Sequence, residues 1–303
     1  MELLVIEKTK AKPTRVQKAV FIVLICVLVV STVYFVVFPT AWHTLRGYVQ
    51  QYGSEIFTRQ MLFFMLVGFV AQIIDGALGM AYGITSTSFL LGLGIPPALA
   101  SSSVHVSEVF TSGISGLSHL KMGNVNRRLF QRLVLPGAIG AVAGAYILTN
   151  IDGDTIKPFM AVYLLIMGVV VIWKAFRKNS IPREAKNLAP LALFGGFMDA
   201  VGGGGWGPIV ASTLLSKGHE PRYAIGSVNL AEFFVALAGA ITFVMLIGTG
   251  NWHIIAGLVI GGSVAAPFAA YLCRKFPAKT LMLIVGTLII ALSIRTLVLA
   301  FAS

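Results

Sequence analysis

Charge and cysteine are both scarce in this 303-residue sequence. Charged residues make up 11% of it, about half the share found in soluble domains. The hydrophobic fraction is 57% and the mean hydropathy +0.87. An ordinary soluble domain is excluded, and the chain reads as a multi-pass membrane protein. The two cysteines, Cys26 and Cys273, fall in or at the end of apolar segments without CxxC or Cys/His spacing. Neither a disulfide framework nor a metal centre is indicated, and buried inert thiols are expected. Also missing are a P-loop lysine after the glycines, a dinucleotide fingerprint, HExxH and a Ser/His/Asp order. The sequence therefore predicts no cofactor, no metal and no enzymatic activity.

Acids are the scarcer sign, 11 Asp and Glu against 23 Lys and Arg. The resulting charge of +12 would suggest nucleic acid in a soluble protein, but in a membrane chain basic residues report orientation first. The apolar run 19–38 follows a basic N-terminus and is too long for a signal-peptide core, so it reads as a retained first helix. An amphipathic connector, 41–58, follows. Next come an apolar segment, 60–78, interrupted at Asp75-Gly76, and a shorter one, 82–95, ending at Pro96-Pro97. Full spans are expected at 98–120, 130–149 and 156–175.

After a basic loop the arrangement recurs: a broken pair over 188–218, then spans at 222–247, 253–273 and 279–302. Aligning Asp75 to Phe110 with Asp199 to Phe234 needs no gap. It matches Asp75/Asp199, Gly79/Gly203, Gly83/Gly207, Pro97/Pro221, Ser103/Ser227 and Glu108/Glu232 among others. Shared apolar composition does not explain acids and a proline at a fixed offset.

With a cytoplasmic N-terminus and re-entrant broken pairs, the inside collects the basic N-terminal residues, Lys121, Arg127, Arg128 and Arg132. It also collects the 174–186 group, Lys217, Arg222, Arg274, Lys275 and Lys279. Only Arg46, Arg59 and Lys157 fall outside, and Arg295 lies in the last span. The first broken pair then enters from outside and the second from inside, as in secondary transporters built from inverted repeats. The expected fold is an all-α polytopic membrane protein: a basic N-terminus, extra helix and connector (1–59), a first inverted repeat (60–176), a basic cytoplasmic loop (177–187) and a second inverted repeat (188–303). Each repeat is a broken or re-entrant pair plus three spanning helices.

The acids deep in expected membrane form two repeat-related pairs, Asp75/Asp199 and Glu108/Glu232. Such groups are costly there unless used. The aspartates fit equally as caps of helix breaks or as functional groups. The glutamates lean toward function, because Ser101, His105, Glu108, Ser112, Ser115 and His119 recur at helical spacing and form one polar stripe. In the second half, Asn229 and Glu232 hold the centre of that stripe and Ala236, Gly239 and Phe243 follow. A hydrogen-bonded stripe that only holds the bundle together is the plainer alternative. Gly202, Gly203, Gly204 and Gly205, with Gly79 in the first half, permit unwound turns whose amides suit a small anion; close packing of short helices would need glycine as well. For Arg295, snorkelling outward is favoured over contact with an anion.

The blocks GFVAQIIDGALGMAYG with SSSVHVSE and GGFMDAVGGGGWGP with GSVNLAE resemble those of the TauE/SafE-type sulfite exporters, the toluenesulfonate uptake family of anion permeases. The resemblance covers residues 60 to 302. It implies a transporter of sulfite or a small sulfonate in the cytoplasmic (inner) membrane, working in export by alternating access. Candidate substrate contacts are Gly79, Ser103, His105, Gly202 to Gly205, Ser227 and Asn229, with Asp75, Glu108, Asp199 and Glu232 as coupling or structural acids. Four carboxylates repel an anion, so Glu108 and Glu232 are expected to carry protons for part of the cycle. Partners are then the anion, protons or alternatively sodium, and the bilayer, with a homodimer left open and no nucleic acid. Rival readings are a sodium-coupled carrier of another anion and a non-transport assembly or sensor protein.

Overall fold

Proline and glycine punctuation sets the helices. The computed structural model describes residues 59–78, 80–176, 188–248, 252–275 and 278–302. The extra N-terminal helix, the connector, Gly79 and the basic loop 177–187 lie outside the described residues, and the described ones belong to a unit spanning Gly53–Ser303. Among them are ten α-helices and no strand. The first five are α1 (Arg59–Leu78), α2 (Tyr82–Gly92), α3 (Pro97–Lys121), α4 (Arg127–Asn150) and α5 (Gly153–Phe176). The rest are α6 (Ala189–Gly202), α7 (Ser212–Ser216), α8 (Pro221–Ile247), α9 (Trp252–Lys275) and α10 (Ala278–Ala302). A π-helical turn, Gly207–Ala211, leads into α7.

The chain's own chemistry explains most boundaries. α3 and α8 both open on a proline, which loses nothing at a first helical position. Asn126 caps α4 by accepting from the Leu129 amide at 3.1 Å, and Asp152 caps α5 by accepting from Asp154 and Thr155. α6 ends where Gly203 takes a φ of +68° and Gly204 one of +144°, a conformation that side chains resist.

Among the described residues, four helices are long and apolar enough to cross a membrane: Arg127–Asn150, Gly153–Phe176, Pro221–Ile247 and Met282–Phe301. Their outward side chains, such as Leu135, Phe159, Met245 and Phe301, are exposed, which suits a lipid surround rather than water. α3 has 25 residues, about 37 Å at 1.5 Å per residue, yet falls outside that group because its polar stripe lowers its hydropathy.

Packing pairs helices across the two halves. α1 lies on α9 and α4 on α6, α3 on α8 and α5 on α10. Exchanging α1–α5 with α6–α10 in order maps this pattern onto itself. Glycine permits the closest approaches: a Cβ built on Gly68 of α1 would stand 2.7 Å from the Leu258 Cα, and one on Gly144 of α4 3.0 Å from the Ala200 Cβ. This is the small-residue packing of membrane helices, where tight backbone contact replaces a hydrophobic driving force.

Candidate functional site

The two helix breaks cross each other. A Cβ built on Gly83, near the start of α2, would lie 2.7 Å from the Gly204 Cα and 3.2 Å from the Gly203 oxygen. One on Gly207 would lie 2.8 Å from the Met80 Cβ. Gly83 and Gly207 are repeat partners, as are Met80 and Gly204, so each half contributes the same contact to the other. Thr87 of α2 ties the crossing by donating to the Gly203 carbonyl, and Tyr163 of α5 donates to the Gly204 carbonyl at 2.9 Å. Gly202 and Gly205 leave room for the Tyr163 ring and hydroxyl.

Each break is capped by its own aspartate. Asp199 Oδ1 accepts from the Gly205 amide at 2.7 Å and the Trp206 amide at 2.8 Å, and its backbone carbonyl accepts from Gly204 at 2.8 Å. In the first half the Tyr82 amide donates to the half-buried Asp75 carboxylate, the equivalent of the Trp206 bond. The amides of Gly204 and Gly205, expected to face an anion, are therefore already taken by Asp199. The indole of Trp206, fully buried, donates to the Val228 carbonyl at 3.1 Å and ties the break to α8.

Three stripe residues of α3 meet this crossing. His105 Nε2 stands 3.3 Å from Asp199 Oδ2, and its Nδ1 is 2.9 Å from the Ser101 carbonyl. Ser101 Oγ donates to the Ala200 carbonyl at 2.6 Å. The imidazole packs edge-on to Phe243, with ring centroids 5.5 Å apart, over Gly239, whose built Cβ would meet Cδ2 at 2.7 Å. Glu108 points Oε1 at Gly83, while its buried Oε2 has no hydrogen-bond partner. One ligand atom each from His105, Glu108 and Asp199 lies within 4.8 Å of the others, so this is where a cation, including a proton, would find several donors. Glu232 on α8 is half-buried and within electrostatic reach of Asp75 and Asp199.

The remaining expected contacts lie elsewhere. Asn229 accepts from Ser115 at 3.2 Å and donates to the Ile225 carbonyl, joining α8 to the lower stripe. Ser227 accepts from the Asn126 amide at 2.8 Å and holds the turn between α3 and α4. Ser103 is buried but two residues from Ser101 and His105, which at about 100° per residue puts it on the opposite face of α3. Arg295 is exposed and donates to the Gly92 carbonyl at the end of α2, a cation at a helix C-terminus. Sequence reasoning missed Thr87 and Tyr163. For Thr87 a signal existed, the run Thr85-Ser86-Thr87-Ser88, four hydroxyls inside a short helix of otherwise apolar character.

The family model described as Sulfite exporter TauE/SafE matches residues 64–296. The "Probable membrane transporter protein YtnM" of Bacillus subtilis (strain 168) is 43% identical over 250 residues, covering 79% of this chain and 83% of that protein. The "Probable membrane transporter protein ORF9" of a Sinorhizobium species is 28% identical, covering 78% and 92%. "Probable membrane transporter protein YunE", also of B. subtilis, is 20% identical, covering 75% and 93%. No solved structure matches the chain. The site at the crossed breaks is thus carried by a multi-pass membrane protein with transporter relatives, and the chain belongs to the sulfite exporter TauE/SafE family.

Proposed function

We propose that this protein exports a small organosulfur anion, sulfite or a small sulfonate, across the cytoplasmic membrane by alternating access coupled to protons. Its two halves, 60–176 and 188–303, act as inverted repeats that rock about the crossing. The observation that carries this reading is the crossing itself, Gly83 on Gly204 and Gly207 on Met80. Two unwound segments meet there in the protein interior with buried His105, Glu108 and Asp199 around them. Irregular backbone at membrane depth is tolerated where it is enclosed by protein or lines a path.

The exchange of helix contacts between halves supports the repeat, and the distribution of basic residues supports a cytoplasmic N-terminus. Two contacts agree with that sorting. Arg222 donates to Asn124 and to the Met122 carbonyl, and Lys279 lies 4.4 Å from the centroid of the Phe176 ring. Segments assigned to one side are thus in contact.

Coupling follows from charge. Glu108 and Glu232 stand among two further carboxylates, and an anion enters such a place only when negative charge there is reduced. Each glutamate takes up a proton for part of the cycle and so couples movement of the anion to protons. The test is flux of sulfite and small sulfonates in proteoliposomes for the wild type, Glu108→Gln and Glu232→Gln. Flux driven by a pH gradient in the wild type, with altered pH dependence in either variant, is expected. Unchanged pH dependence in both defeats proton coupling, and a sodium gradient that replaces the pH gradient identifies sodium as the coupling ion.

A further inference from the structure

Most hydrogen-bond donors around the crossing are already engaged within the protein. The Gly204, Gly205 and Trp206 amides are used by Asp199, and the Tyr82 amide by Asp75. Ser101 Oγ is used by Ala200, Thr87 by Gly203 and Tyr163 by Gly204. The hydroxyls of Thr85 and Ser86 are different. Both residues are fully buried; Ser86 Oγ reaches the Tyr82 hydroxyl one turn back, whereas Thr85 Oγ1 has no partner.

Most hydroxyls on these helices have a partner, although buried Ser293 of α10 is also without one. A helical Ser or Thr without another use returns its proton to the carbonyl three or four residues back, as Ser88, Ser107, Ser112, Thr149, Thr242 and Thr296 do here. In folded proteins most buried polar groups are satisfied, so the free Thr85 hydroxyl, with Ser86 beside it, asks for an occupant. Thr85 and Ser86 are the fourth and fifth residues of an eleven-residue helix, in the half that carries the positive end of its dipole. The same helix presents Gly83 to the crossing.

We propose that Thr85 and Ser86 form a binding site for an oxyanion, donating to the sulfur-bound oxygens of sulfite or a small sulfonate. The proposal rests on the transport reading above and narrows it to particular donors. It places the anion on the first half alone: the repeat partners of Thr85, Ser86 and Thr87 are Ile209, Val210 and Ala211, which offer no side-chain donor. It also moves substrate contact from the glycine run, whose amides are spent, to a hydroxylated helix facing it.

The test compares the wild type with Thr85→Val, Thr85→Ser, Ser86→Ala and the Val/Ala double variant, using sulfite and methanesulfonate as probes. Two quantities are read: the concentration dependence of flux in proteoliposomes, and the shift in apparent Tm that each probe causes on purified full-length protein. Hydrogen bonds to charged groups are strong enough that losing one raises KM about tenfold or more. KM for sulfite is therefore expected to rise by at least about tenfold in Thr85→Val and in Ser86→Ala, and to return to the wild-type range in Thr85→Ser. Without probe, Thr85→Val should be as stable as the wild type, because the hydroxyl removed has no partner in the protein, whereas Ser86→Ala loses its bond to Tyr82 and should melt somewhat lower; the probe-induced Tm shift should disappear in the double variant.

A KM within about twofold of wild type in both single variants, with wild-type flux present, overturns the assignment while leaving the transport reading intact; ordered water then occupies these hydroxyls. Marked destabilisation of Thr85→Val without probe also overturns it, since it reveals a structural partner for the Thr85 hydroxyl. A wild type that neither moves nor is stabilised by any anion defeats the transport reading first and this site with it.

Discussion

Gly83 and Gly92 are at opposite ends of α2, and replacing each by alanine isolates the crossing of the breaks. Both substitutions gain helix propensity, up to about 1 kcal/mol, so the difference between them reports packing. At Gly92 the nearest atoms to a new Cβ are the Leu292 Cδ2 at 3.5 Å and an Arg295 nitrogen at 3.6 Å, ordinary contact distances. At Gly83 they are the Gly204 Cα and Glu108 Oε1, both at 2.7 Å. A flexible carboxylate can turn aside, but backbone cannot. The two breaks would have to part by about 1 Å to reach normal van der Waals separation, and overpacking of this kind costs about 1–3 kcal/mol. Gly83→Ala is thus expected to melt below Gly92→Ala by roughly 3–10 °C, read by tryptophan fluorescence on protein in detergent. Sulfite flux should be lost in Gly83→Ala and kept in Gly92→Ala. Gly204→Ala should be more damaging still, because its Cβ would meet the Gly83 backbone and its φ of +144° adds strain. Equal melting temperatures and equal flux for Gly83→Ala and Gly92→Ala would refute the crossing as the close contact on which the site is built.

Asp199→Ala should lower stability by about 0.5–2 kcal/mol through loss of the acceptor for Gly205 and Trp206, measured as Tm, whereas Asp199→Asn keeps one carbonyl oxygen and should lose less. Trp206→Phe leaves the buried Val228 carbonyl without its 3.1 Å donor, an expected cost of about 1–3 kcal/mol, visible as a fall in Tm of several degrees. Arg295→Gln removes a cation from the end of α2 at an exposed position; Tm should move by no more than a few degrees, and the KM for sulfite should stay unchanged if Arg295 makes no substrate contact.

The spans were legible because apolar runs end at proline, glycine and capping residues. The run expected at 130–149 is helix Arg127–Asn150, begun three residues earlier because Asn126 supplies its cap. The π-helical turn at Gly207–Ala211 was not legible. Pro208 lacks an amide and its carbonyl is taken by Lys174 of α5, a contact 34 positions away that no local pattern announces. The use of the glycine amides was hidden for a different reason: an acid six and seven residues upstream reads as a cap only once the chain is seen to fold back on it. Ser103 and Ser227 match between the halves. Helical geometry separates both from the polar face, and Ser227 serves Asn126 instead.

Positions that match between the halves and positions that differ divide the site's labour. Asp75/Asp199 and Gly83/Gly207 match, and in the structure these residues cap the breaks and let them cross. His105/Asn229, Thr85/Ile209, Ser86/Val210 and Tyr82/Trp206 differ. His105 reaches Asp199 in the other half, whereas Asn229 is occupied by Ser115 and Ile225. The matching positions thus supply the scaffold, in which two similar breaks fit against each other, and the differing positions supply the side-chain chemistry. A crossing with equal donors on both faces would offer two equivalent anion seats; with hydroxyls on α2 alone, the proposed site is one. If Thr85 and Ser86 hold the anion as proposed, that asymmetry sets one anion per chain through these side chains rather than through the fold.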